Sequence, residues 1–124
     1  MKKLKHILVL TVTLSFILSA MYCKEDSNTG QAKSEEEKGK EIYTNNGCWA
    51  CHGDSGKGDG PSSGTFNPKP RNFSNAENFS QGSSLEQIAE SIKTGVPESF
   101  MVGYPHLNIE DRILLARYIT SFRK

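Results

Sequence analysis

Cys48-Trp49-Ala50-Cys51-His52 is the stretch on which the reading of this chain turns. In a helical segment, Cys48, Cys51 and His52 stand at i, i+3 and i+4 and share one face. Two thiols on one face can form thioether bonds to the two vinyl groups along an edge of a porphyrin. The neighbouring imidazole then reaches the iron, so the C-x-x-C-H run reads as a site of covalent c-type haem attachment. The cofactor expected from these five residues is one heme c, covalently held.

The composition is consistent with a chain that needs such a group. With 124 residues there is room for one domain at most. Hydrophobic content is 35% and glycine occurs 11 times, so any core is small, in the size range where an added staple is often needed. A buried haem would supply the missing apolar bulk. The formal net charge is +1, from 15 basic and 14 acidic residues. Lys2, Lys3 and Lys5 belong to a leader; without them 12 basic residues face 14 acidic ones, a net of −2. That balance gives no support to nucleic-acid binding, which wants a basic patch. Three cysteines are too few, and odd in number, for a disulfide framework.

Residues 1–22 read as a signal peptide: a basic start, then an apolar run from Ile7 to Ala20 that is short for a membrane span. The expected location is therefore outside the cytoplasm, in a periplasm. Cys23, alone after the apolar run, resembles the lipidated cysteine of bacterial lipoproteins, although Tyr22 stands where a small residue is usual. Lipidation at Cys23, cleavage after Ala20 and an uncleaved anchor are the three readings. Residues 23–33 are polar, with nothing to bury, and read as a flexible tether.

Residues 34–124 read as an all-α domain of three main helices with long loops. Ser34 and Glu37 form a capping box that opens the first helix, expected to run to about Tyr43 or Thr44. Gly39 lies in mid-helix, where it is a poor helix former, and implies close approach by another backbone or a ring. Asn45-Asn46-Gly47 then turns the chain into Cys48. Gly53 to Pro61 holds four glycines and a closing proline, a tight loop that lies against something. It lacks the phosphate-loop pattern and no strand precedes it. Loop continues to Ser80 with Pro68-Lys69-Pro70 inside it. So long a loop serves a function or is suspect, and wrapping a haem is such a function. Phe66, Phe73 and Phe79 need an apolar place there; a haem pocket or a mini-core would accept them, and the scarcity of other core favours the pocket.

Ser84 and Gln87 open a second helix, striped by Leu85, Ile88, Ala89 and Ile92 and ended at Thr94-Gly95. A loop from Val96 to Leu107 follows. Asn108 with Asp111 starts the last helix, to about Phe122, whose apolar face is expected from Ile109, Ile113, Leu114, Ala116, Tyr118, Ile119 and Phe122. No strand and no internal repeat is expected.

His52 offers iron one axial nitrogen. For the far side the loop offers Met101 and His106. A methionine is usually a gap filler, but Met101 lies in a Pro/Gly loop, on no helical stripe, which suits a ligand presented by a shaped loop. Met101 is therefore the favoured second ligand, with His106 orienting the loop or facing water.

Together these residues resemble the class I cytochrome c family over residues 34 to 124. Gly39-Lys-Glu-Ile-Tyr43 is similar to that family's first helix, where the glycine admits an aromatic of the last helix; the resemblance gives that role to Tyr118. Gly58-Asp-Gly-Pro61 resembles the loop whose proline carbonyl accepts a hydrogen bond from the proximal imidazole, which implies such a role for Pro61. Gly95-Val96-Pro97 followed by Met101 resembles the segment bearing the distal methionine, with Val102 in place of the family's frequent proline. Arg71, after Pro70, either pairs with a haem propionate or is solvated.

The implied function is one-electron transfer by a carrier, not an enzyme, working with redox partner proteins. A haem enzyme or gas sensor is the alternative and requires a labile distal ligand. A thiol oxidoreductase would need a βαβ context, and a zinc site lacks a clear fourth ligand.

Overall fold

Four α-helices follow in order: α1 (Glu35–Asn45), α2 (Trp49–His52), α3 (Leu85–Thr94) and α4 (Ile109–Ser121), with single 3₁₀ turns at Ser63–Thr65 and Ala76–Asn78. The computed structural model describes residues 32–123, which contain no strand. The expected leader, Cys23 and most of the tether lie outside the described residues. Among those described, no helix is long and apolar enough to cross a membrane.

The helix starts follow from local chemistry. Ser34 caps α1: its hydroxyl accepts from the Glu37 N–H, and the Glu37 carboxylate accepts from the Ser34 N–H at 2.8 Å. That reciprocal bonding satisfies two donors that a helix leaves open. It also holds the Glu37 carboxyl below its usual range. Ser84 and Gln87 repeat the arrangement at α3. At α4 the Asn108 side chain accepts from the Asp111 N–H at 2.8 Å. Gly95, at φ 82°, ends α3 as its N–H donates to the Ser91 carbonyl at 2.8 Å.

Helix α4 packs against both α1 and α3 and is the spine of the domain. Its buried residues are Leu115, Ala116, Tyr118 and Ile119, which meet Tyr43 of α1 and Ile88 and Ile92 of α3 in one core. This corrects the expected stripe in two places. Leu115 is nearly wholly buried, while Ile109, in the first turn, is exposed. The buried face repeats at 115, 118 and 119, the spacing of a stripe that begins one turn after the N-terminus.

The α1–α4 crossing is close because residue 39 has no side chain. A Cβ there would lie 2.8 Å from Tyr118 Cβ and would run into the Leu114 carbonyl. Tyr43 and Tyr118 then meet edge to face, centroids 5.3 Å apart. Phe73 and Phe79, from the long loop, are buried in this same core.

Candidate haem site

The residues of the C-x-x-C-H run do form a helix. Cys48 precedes the single turn of α2, and the His52 N–H donates to its carbonyl at 3.0 Å. Both thiols are free, and all three side chains are half-buried. Burial pushes the Cys48 thiol up to about 11, with the neighbouring Cys51 adding to the effect.

The helix borders a cavity of about 600 Å³, within the roughly 300–1,000 Å³ of small-molecule and cofactor sites. Cys51 and His52 line one side; Met101, from the loop after α3, also lines it. Much of the wall is Phe66, Phe73, Phe79, Phe100, Ile88 and Ile92. A smaller recess of about 20 Å³ is bordered by Cys48, His52 and Met101 together. The loop phenylalanines are thus not divided between pocket and core: Phe73 and Phe79 serve both, and Phe66 lines the pocket.

His52 is held on two sides. Its Nδ1 lies 3.2 Å from the Arg71 carbonyl oxygen, and its ring stacks on Phe73 with centroids 4.4 Å apart and planes 23° apart. With Nδ1–H donating to that carbonyl, Nε2 is left with its lone pair free. Burial lowers the imidazole pKa, the Arg71 carbonyl opposes that shift, and the Arg71 charge reinforces it. The neutral ring that iron requires is favoured.

The carbonyl expected from Pro61 is therefore supplied by Arg71. Pro61 is exposed and does not line the cavity. Residues 58–62 are occupied elsewhere, under α2: the Gly60 N–H donates to the Cys51 carbonyl at 3.2 Å and the Ser62 N–H to the Ala50 carbonyl at 2.8 Å. The Arg71 segment reaches His52 because Gly58, at φ 75°, lets Pro70 pass close; a Cβ at 58 would strike the Pro70 carbonyl. The Phe73 N–H donates to the Gly56 carbonyl at 2.7 Å and anchors the segment.

The Arg71 side chain lines the cavity too. Its Nη2 donates to Ser80 Oγ at 3.0 Å, and its guanidinium lies 4.9 Å from the Phe79 ring centroid. No carboxylate pairs with it among the described residues. His106 stands outside this constellation, exposed, with Nε2 3.2 Å from Asn46 Oδ1. Sequence reasoning missed Tyr43 as a support of the site. Its hydroxyl, buried, donates to the Gly53 carbonyl at 2.6 Å and ties α1 to the residue after His52. An aromatic in an apolar helix stripe carries no sign of that bond.

The sequence profile of the family described as Cytochrome c matches residues 36–123. The chain belongs to the cytochrome c family. A similar solved structure is a chain of the reducing HAO-like protein complex of Kuenenia stuttgartiensis, with 30% identity and a TM-score of 0.64. The match covers 73% of this chain and 44% of that one, so the likeness spans less than half of the neighbour's length. No curated protein sequence matches the chain.

The cytochrome c domain implies a c-type haem, and the donor set fits that group. Two thiols and an imidazole stand at and within one short helix, the imidazole is oriented through Nδ1, and Met101 borders the aromatic-walled cavity that Cys51 and His52 line. Such a mix of soft sulfur and imidazole donors suits iron in a porphyrin.

Proposed function

We propose that this domain is an exported electron carrier with one haem held through Cys48 and Cys51 and axial ligation by His52 and Met101. The observation that carries this reading is that His52 and Met101, from segments separated by the long loop and α3, border one cavity. A bound c-type haem supplies a one-electron iron couple, and occupation of both axial positions by the protein favours electron transfer over substrate binding.

The chain's own residues would do the rest. His52 presents Nε2 because Arg71 and Phe73 hold its ring. Met101 presents a soft thioether, which raises the potential relative to a second imidazole. The aromatic and aliphatic side chains of its wall lower the dielectric around the site. Arg71, half-buried and without a carboxylate partner among the described residues, is the candidate counter-ion for a propionate.

The partners proposed are redox proteins, with no nucleic acid. The leader supports a periplasmic location, and Cys23 supports a membrane tether through lipidation. Metabolic labelling with a fatty acid tests the tether: label that disappears in Cys23→Ser is expected, and an unlabelled wild type removes the idea. The neighbour's place in an HAO-like complex favours a second reading, in which the domain serves a larger redox enzyme or itself binds a small ligand.

A pyridine haemochrome spectrum and a potentiometric titration of the purified protein test the main reading. A c-type spectrum with a single one-electron wave is expected. Absence of covalent haem would sink it, and carbon monoxide binding by the reduced protein at neutral pH would favour the second reading.

A further inference from the structure

Phe66 and Phe100 meet from separate segments at the edge of the cavity that His52 and Met101 border, ring centroids 5.0 Å apart and planes 33° apart. Phe66 follows the 3₁₀ turn Ser63–Thr65, and Phe100 immediately precedes Met101. Phe100 is 61% exposed, so core burial does not account for its position.

The loop bearing Met101 is otherwise bonded mainly to itself. The Val96 N–H donates to the Met101 carbonyl at 3.1 Å. Ser99 Oγ donates to the Val96 carbonyl at 2.7 Å and accepts from the Met101 N–H at 3.1 Å. Glu98 takes φ 58°, a left-handed conformation that costs a non-glycine residue energy. Among the described residues, no hydrogen bond or ion pair ties residues 96–101 to the segment that carries Phe66. A short loop with exposed side chains and few outside bonds belongs to the easily opened part of a fold.

We propose that Phe66 and Phe100 are positioning residues that clasp the Met101 loop over the cavity. They thereby set how readily a small exogenous ligand takes the distal position. This rests on the reading of Met101 as the distal ligand. The clasp works by holding residue 100, and so the backbone of its neighbour 101, against the segment after Thr65.

The test is a titration of the purified holoprotein with imidazole, followed by the weak red sulfur-to-iron band. An aromatic pair contributes modestly beyond its burial, which corresponds to roughly 2- to 10-fold in an equilibrium. Phe100→Ala and Phe66→Ala are each expected to bind imidazole roughly 2- to 10-fold more tightly. The double variant is expected to bind no more tightly than the stronger single variant, because both changes remove one contact. Phe100→Tyr keeps the ring and should restore wild-type affinity. Amide exchange across residues 96–101 should quicken in Phe100→Ala while the helices stay protected.

Unchanged imidazole affinity in Phe100→Ala, or fully additive effects in the double variant, would overturn the clasp. As Phe100 is exposed, its variant is expected to fold. A wild type that lacks the red band, together with no gain in imidazole affinity in Met101→Ala, would instead remove the ligation reading.

Discussion

Nδ1 of His52 lies 3.2 Å from the carbonyl oxygen of Arg71, a residue 19 positions further along the chain. The bond depends on a close pass between two loops. Gly58 lies against Pro70 with φ 75°, and its N–H donates to the His52 carbonyl at 2.8 Å. One glycine thus touches the histidine's backbone and admits the segment that holds its ring.

Gly58→Ala should therefore disturb the histidine's hydrogen bond without altering any residue that bears the haem. A carbonyl on Nδ1–H makes the imidazole a stronger donor, which favours oxidised iron. Weakening it should raise the reduction potential by tens of millivolts, on a scale where about 59 mV is tenfold for one electron. A potentiometric titration checks this; a folded variant with an unchanged potential would show that the Arg71 carbonyl does not tune the site.

Much of this fold is legible locally. Ser34 with Glu37 and Ser84 with Gln87 announce helix starts because each capping box closes within four residues. The short helix Trp49–His52, with Cys48 just ahead of it, is equally local. What resisted sequence reasoning is non-local. Pro61 resembles the family's acceptor residue, yet Arg71 provides the carbonyl, because which segment of a long loop lies beside His52 depends on the Gly58–Pro70 approach. The Tyr43–Gly53 hydrogen bond and the stacking of Phe73 on His52 are hidden for the same reason. Leu115, the largest fully buried side chain of α4, lies in an apolar run, Ile113 to Ala116, where periodicity alone does not choose the inward face.

The approach of α1 to α4 predicts a cost at Gly39. Alanine gains about 1 kcal/mol in helix propensity over glycine. Its Cβ, however, would meet the Leu114 backbone carbonyl and Tyr118 Cβ, neither of them the flexible end of a side chain. Overpacking of this kind costs about 1–3 kcal/mol. Gly39→Ala should lose about 1 kcal/mol net, from the difference of those two effects, and Gly39→Val more. Urea unfolding measures it, with a lower midpoint expected at unchanged slope; a midpoint at or above wild type would contradict the close packing.

Tyr43 links stability to alkaline pH. Burial raises its phenol pKa well above the ordinary value. The folded state therefore keeps a proton that the unfolded chain releases near pH 10. The unfolded state binds fewer protons above that pH, so stability falls as pH rises through this window and is fully present below it. Tyr104 and Tyr118 are shifted upward by burial as well. Tyr43→Phe strands the Gly53 carbonyl and should cost about 1–3 kcal/mol at pH 7, then lose less than wild type between pH 9 and about 11. Denaturation midpoints across that range decide it; parallel pH profiles would remove Tyr43 as a source of the alkaline loss.

Met101 and His106 make opposite predictions for the distal position. Met101 borders both recesses that His52 borders, while His106 is exposed beside Asn46. Met101→Ala should abolish the red sulfur-to-iron band and lower the potential, since a thioether ligand holds it up. His106→Ala should leave the band in place and change stability by about 0.5 kcal/mol or less, as for other surface substitutions. Absorption spectra of the two oxidised variants separate the cases. A wild type without the band, in which His106→Ala rather than Met101→Ala shifts the potential, would instead require residues 101–106 to rearrange across Gly103, which stands so close to the Lys93 and Thr94 backbone that a Cβ would collide there.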